Sequence, residues 1–113
     1  MKVRAKQVIH DHILDEFDHQ NLEAGKTYEV IGVSPDNYRV IDEAGEPILY
    51  PNYLFDIVDS AIPESWVRRE YGPDECYINP PELSRPGFYE DYFDGKAEAK
   101  EIFEKFLSSQ GLR

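Results

Sequence analysis

The strongest pattern along this chain is a period of two, in short runs separated by turn-forming residues. Thr27-Tyr28-Glu29-Val30-Ile31-Gly32-Val33 is rich in β-branched and aromatic residues, which suit a pleated surface. Ser34-Pro35-Asp36-Asn37 has the composition of a turn, and Tyr38-Arg39-Val40-Ile41-Asp42 is the return strand. Glu43-Ala44-Gly45-Glu46 supplies a second tight turn, with Gly45 free to take positive φ. Pro47-Ile48-Leu49-Tyr50 follows as a strand, Pro51-Asn52-Tyr53 breaks it, and residues 54–59 form another. Earlier, Lys2, Arg4 and Lys6 alternate with Val3, Ala5 and Gln7, so residues 2–9 read as a strand. Short strands with turns between them predict a small barrel or sandwich.

The pattern changes after residue 59. Residues 66–71 and 75–79 form a further hairpin across Gly72-Pro73-Asp74. Pro80 to Gly87 is dense in turn-formers and predicts a stiff, extended surface segment. Asp94 is read as the N-cap of a C-terminal helix, and Gly111 as its stop. Ala99, Ile102, Phe103, Phe106 and Leu107 share one helical face, while Glu101 and Lys105 form an i,i+4 pair elsewhere. Such a short helix needs a surface to dock on. Residues 10–21 are polar and acidic with Ile13, Leu14 and Phe17 at helical spacing. They suit a short helix or a loop pinned by those three side chains, and a loop is expected. The predicted class is mainly β, α+β by content. One domain spans 1–113: a barrel over 1–59, a hairpin and Pro-rich segment over 60–93, and a helix over 94–110.

Composition narrows the function. The chain has 113 residues, 41% of them hydrophobic and 13% aromatic, so it is long and apolar enough for one core without cross-links. Its formal net charge of −11 disfavours nucleic acid, whose phosphates need Lys and Arg, and disfavours anionic membranes. The same charge steers basic partners towards it. Cys76 is the sole cysteine and sits beside Asp74 and Glu75, where a thiolate gains nothing. No signal-peptide pattern and no membrane-length apolar run occurs, so a cytoplasmic location is expected.

The sequence offers three candidate kinds of chemistry. His10, His12 and His19 lie among Asp11, Asp15 and Asp18, but their spacing matches no zinc motif, and exposed polar residues are the favoured reading. No nucleophile elbow, phosphate loop or metalloprotease helix is present, and neighbouring carboxylates arise by chance among 23 acids. No catalysis, metal or cofactor is expected. The aromatic-acidic residues are the best candidates for binding, because interfaces favour Trp and Tyr. They are Tyr50, Tyr53, Trp66, Tyr89, Glu90, Asp91, Tyr92 and Asp94, together with Asp42 and Glu43, while Tyr71 and Tyr77 belong to the same set of aromatics that cannot all be core. Phe88, Phe93 and Trp66 are expected to fill the seam under the helix. Tyr89 to Tyr92 divide evenly between seam and surface.

The stretch Leu22, Gly25-Lys26-Thr27-Tyr28-Glu29-Val30, Tyr38-Arg39-Val40-Ile41-Asp42, Gly45, Tyr50-Pro51, Leu54-Phe55 and Ile57 resembles small bacterial and phage SH3-like barrel proteins. That resemblance implies an SH3-like barrel and little about function. Ile62-Pro63-Glu64-Ser65-Trp66 and Pro86 to Asp94 look like segments of bacterial immunity proteins, the antidotes to secreted toxins. The expected function is therefore an acidic, immunity-type inhibitor that caps a basic protein such as a toxin. Glu90, Asp91, Asp94 and the acids of 11–18 and 42–46 would supply charge, and Tyr50, Tyr89 and Tyr92 the anchors. The alternatives are a peptide-binding or adaptor module with a groove near Tyr50, Tyr53 and Trp66, and an acidic mimic of nucleic acid.

Overall fold

A computed structural model describes residues 1–6 and 21–113. The three histidines, the acids of 11–18, Ile13, Leu14 and Phe17, and the far end of the first predicted strand lie outside the described residues. Among the described residues, seven strands form one antiparallel sheet: β1 (Lys2–Ala5), β2 (Thr27–Val33), β3 (Asn37–Ile41), β4 (Pro47–Pro51), β5 (Phe55–Asp59), β6 (Val67–Gly72) and β7 (Glu75–Asn79). Two helices follow, α1 (Phe88–Phe93) and α2 (Ala97–Ser109). Single 3₁₀ turns join β4 to β5 at Asn52–Leu54 and precede α1 at Pro81–Leu83. The architecture is thus mainly β with an added hairpin and one main C-terminal helix.

The strand order is β4-β3-β2-β1-β5, with β7 joined to β2 and β6 to β7. The sheet rolls up but does not close, because β4 and β5 share no ladder. The rolling is visible in the aromatic rings. Tyr38 of β3 and Phe55 of β5 lie three strand spacings apart along the sheet, about 14 Å if it were flat. Their ring centroids are 6.1 Å apart. Tyr50 of β4 reaches the same Phe55 at 6.4 Å. Inside the roll Val3, Ala5, Tyr28, Val30, Val40 and Leu54 complete the first core.

Strand alternation builds the second core on the outer face. Val30 points into the roll, so its neighbour Ile31 points away, and both are buried. Ile31 packs beneath Leu83, Phe88, Tyr92, Phe103, Phe106 and Leu107. The two α-helices therefore cover the sheet's back. The apolar face predicted for α2 is the buried one, and its exposed Glu101 and Lys105 pair at 3.2 Å.

Three local expectations need correction. Phe88 to Phe93 forms a helix of its own, running from a positive-φ Gly87. Asp94 is not the N-cap of α2. It ends α1, donating its N–H to the Glu90 carbonyl at 3.0 Å, and Gly95 at φ +80° turns the chain before α2 begins. Phe93 does not fill the seam. It is 52% exposed, because on this six-residue helix Tyr92 and Phe88 take the buried side.

Truncating the second core tests its weight. Phe103 is fully buried, so Phe103→Ala is expected to cost about 3–5 kcal/mol in urea unfolding. Phe93→Ala on the exposed side is expected to cost under about 0.5 kcal/mol. Equal losses in the two variants would remove the helical layer from the cooperative core.

Candidate functional site

The predicted binding residues do not form one surface. Tyr50 is buried in the first core and its hydroxyl donates to Asp42 Oδ2 at 2.7 Å. Burial, and then the Asp42 hydrogen bond, push the Tyr50 hydroxyl well above the usual phenol range, so it stays a donor. Asp42 is itself buried, and its other oxygen accepts from the N–H groups of Ala44 and Glu46 at 3.0 and 3.2 Å. This carboxylate shapes the β3–β4 turn from within, so neither Tyr50 nor Asp42 is offered to a partner. Glu43 is engaged by Lys26 Nζ at 2.6 Å.

Tyr92 is buried as well. Its hydroxyl donates to Glu46 Oε2 at 2.9 Å and is pushed up to about 12, by burial first and then by Glu46. Asp91 is held by Arg85 at 2.9 Å and Lys96 at 3.1 Å. Glu90 and Asp94 are exposed. Tyr53 is exposed at the 3₁₀ turn after β4. Trp66 is half-buried and lines a small hollow with Pro63 and Phe106. A groove combining Tyr50, Tyr53 and Trp66 is absent among the described residues.

A well-defined groove lies elsewhere. It has a volume of about 440 Å³ and runs between the end of β2, β7 and the segment Leu83 to Glu90. Gly32 leaves room for the Asn79 side chain: a Cβ there would fall 2.6 Å from Asn79 Oδ1 and 3.4 Å from Arg39 Cβ, so a larger residue would have to displace the Asn79 amide. Gly32 also sits at a bulge, where the β2–β3 register shifts between Val30 and Gly32. Arg39 and Leu49, cross-strand partners on β3 and β4, form one wall. Tyr77, Ser84, Arg85 and Tyr89 line the rest. A shallower hollow of about 220 Å³ continues past Tyr77, Asn79 and Ser84 to Arg69, Tyr71 and Pro86. Tyr71 and Tyr77 are both exposed, with rings edge-to-face at 5.7 Å.

Two polar groups in this region have unused capacity. The Arg39 guanidinium stacks over the Tyr89 ring at 3.7 Å, and its Nη1 donates to the Pro47 carbonyl at 2.8 Å. It makes no ion pair among the described residues, and desolvation lowers its pKa. The Tyr89 hydroxyl is buried without a hydrogen-bond partner, and burial pushes its pKa above the usual phenol range. Such a group ordinarily costs about 1–3 kcal/mol. Of the residues singled out in the sequence, Tyr77, Tyr89 and Glu90 line this groove. Arg39, Asn79 and Arg85 were missed, since they come from segments far apart in the chain. The one available signal was Arg39, one of only two bases between residues 11 and 59.

Among the described residues, no three His, Cys, Asp or Glu come together as a metal-binding group. No helix among them is long and apolar enough to cross a membrane. Comparison with protein-family models, with curated proteins and with solved structures finds no match to this chain.

Asp91 ties the groove's outer segment to α2 through Arg85 and Lys96, and these partners, Lys96 first, hold its carboxyl below the ordinary range. A depressed carboxyl pKa adds stability above the ordinary carboxylate pKa, and that stability is lost as pH falls through the depressed value. Asp91→Asn is therefore expected to lower Tm at about pH 6, with the gap from the parent narrowing towards about pH 3. A gap that stays constant would show that the carboxylate's charge is not what holds the segment.

Proposed function

We propose that the chain is a non-catalytic binding module that takes an extended segment of a protein partner into the groove between β7 and the Leu83–Glu90 segment. The observation that carries this reading is the groove's make-up. It is long and open, and it offers exposed Tyr71 and Tyr77, an arginine and a rigid Pro-bounded wall. Tyr and Arg are the side chains that dominate binding energy at protein interfaces. A stiff wall also lowers the ordering cost of holding an extended guest.

The partner is best a basic protein. The charge of −11 accelerates encounters with one and discourages polyanions. An immunity-type inhibitor of a basic toxin belongs to this class, and so does an adaptor on an SH3-like barrel. The reading places the protein in the cytoplasm, where an unpaired Cys76 stays reduced.

Selection from a displayed library of random 12-residue peptides tests the groove. Enriched peptides are expected to compete with one another and to lose at least about tenfold in affinity for Tyr77→Ser, a loss of about 1.4 kcal/mol. Failure to enrich any peptide, or equal binding to Tyr77→Ser, would overturn the proposal.

A further inference from the structure

We infer that Arg39 is the anchor of this groove and that it takes a single carboxylate from the bound segment. This rests on the peptide-groove reading and assigns the chemistry of its ligand.

A guanidinium makes its hydrogen bonds in its plane, while stacking uses its faces. Tyr89 occupies a face of Arg39 at 3.7 Å. The edge remains, and of its five N–H donors one is spent on the Pro47 carbonyl. The ring thus fixes the orientation of a half-buried cation whose remaining donors have no protein acceptor among the described residues. A planar carboxylate matches that edge with two parallel bonds.

The electrostatics agree. Among the described residues, the groove and its continuation are lined by Arg39, Arg69 and Arg85 against one acid, Glu90. The whole chain has 23 acids and 12 bases, so this lining reverses the molecule's balance. Arg85 is already engaged by Asp91, and Arg69 lies exposed to water in the outer hollow, which leaves Arg39 as the half-buried cation inside the groove. The surrounding field also selects the charge of the guest. Opposed by a net −11, a phosphate group is penalised more than a monoanion, whose one charge is met at short range. A basic protein with one carboxylate at the contact satisfies both the long-range and the local field.

Leu49 provides a direct test. It faces Arg39 across the β3–β4 ladder and is 44% exposed. Leu49→Glu places a carboxylate beside Arg39 and should occupy the anchor from within, while Leu49→Gln keeps the shape without the charge. The probes are N-acetyl-phenylalanine, which ends in a carboxylate, its amide, acetyl-Glu-Phe-amide and inorganic phosphate. Binding is read by NMR through the Arg39 Nε–H and the backbone amides of Gly32, Tyr77 and Ser84.

The expected result is that a carboxylate probe shifts these signals at least about tenfold more tightly than the plain amide. Comparing the first and third probes tells a chain-terminal carboxylate from a side-chain one. Leu49→Glu should abolish this binding and Leu49→Gln should retain it. Arg39→Lys, checked for a parent-like spectrum, should weaken it severalfold, because an ammonium cannot make the paired bonds.

Equal binding of acid and amide, tighter binding of phosphate, or unchanged binding by Leu49→Glu would overturn the inference. Library peptides that need Tyr77 but ignore Leu49→Glu would also overturn the anchor, and would leave the peptide groove standing. Absence of any groove-binding peptide would sink both.

Discussion

Strand β2 must satisfy two cores at once, and most of the structure follows from that. A strand turns successive side chains to opposite faces, so Val30 and Ile31 cannot share a core. Val30 closes the rolled sheet and Ile31 receives the helical layer. Because both are apolar, leaving either face wet would expose hydrophobic surface that burial otherwise removes from water. The helices, the 3₁₀ turn at Pro81–Leu83 and the Pro-rich path that leads to them are there to cover the back of this strand. The groove is a by-product of the same arrangement. The far end of β2 meets β7 at the Val33–Ile78 pair, and the covering layer stops short of that edge.

The strands were legible because they alternate, and the C-terminal helix because its apolar face repeats at helical spacing. The sequence also carried the Glu101–Lys105 pair and the stop at Gly111, both dictated by local spacing. Less local features escaped. Helix α1 has six residues, four of them aromatic, and that is too short for periodicity to separate it from a strand or loop. Asp94 has the right side chain for an N-cap, but Gly95 takes φ +80° and moves the start of α2 beyond its reach. Composition describes what a residue can do, while backbone geometry decides which helix end it meets.

The site was harder to read for the same reason. Tyr50 and Asp42 look like a surface aromatic and a surface acid, yet each makes the other's burial tolerable through one hydrogen bond. Nothing in either residue alone reports that pairing. Nothing in the sequence links Arg39, Leu49, Tyr77 and Tyr89 to one another, and they meet only because the rolled sheet and its added hairpin bring four segments to one edge. Overall acidity pointed towards carboxylates as the binding groups. Several of those carboxylates turn out to be engaged within the chain, and the groove at the β2–β7 edge is lined by arginine.

The β3–β4 turn has a further consequence, for how the chain reaches this state. Asp42 holds the turn from inside, and the helical layer holds it from outside. The Tyr92 hydroxyl bonds Glu46 across 46 residues, and the Arg113 guanidinium bonds the Gly45 carbonyl across 68. Closing such long loops costs entropy that nearby pairings avoid. The hairpin, whose contacts are local, is therefore expected to assemble first, and the helical layer to dock afterwards on a turn already shaped. These contacts, like the pairing of β1 with β5, are non-local, and chains that depend on such contacts fold more slowly than chains built from local ones.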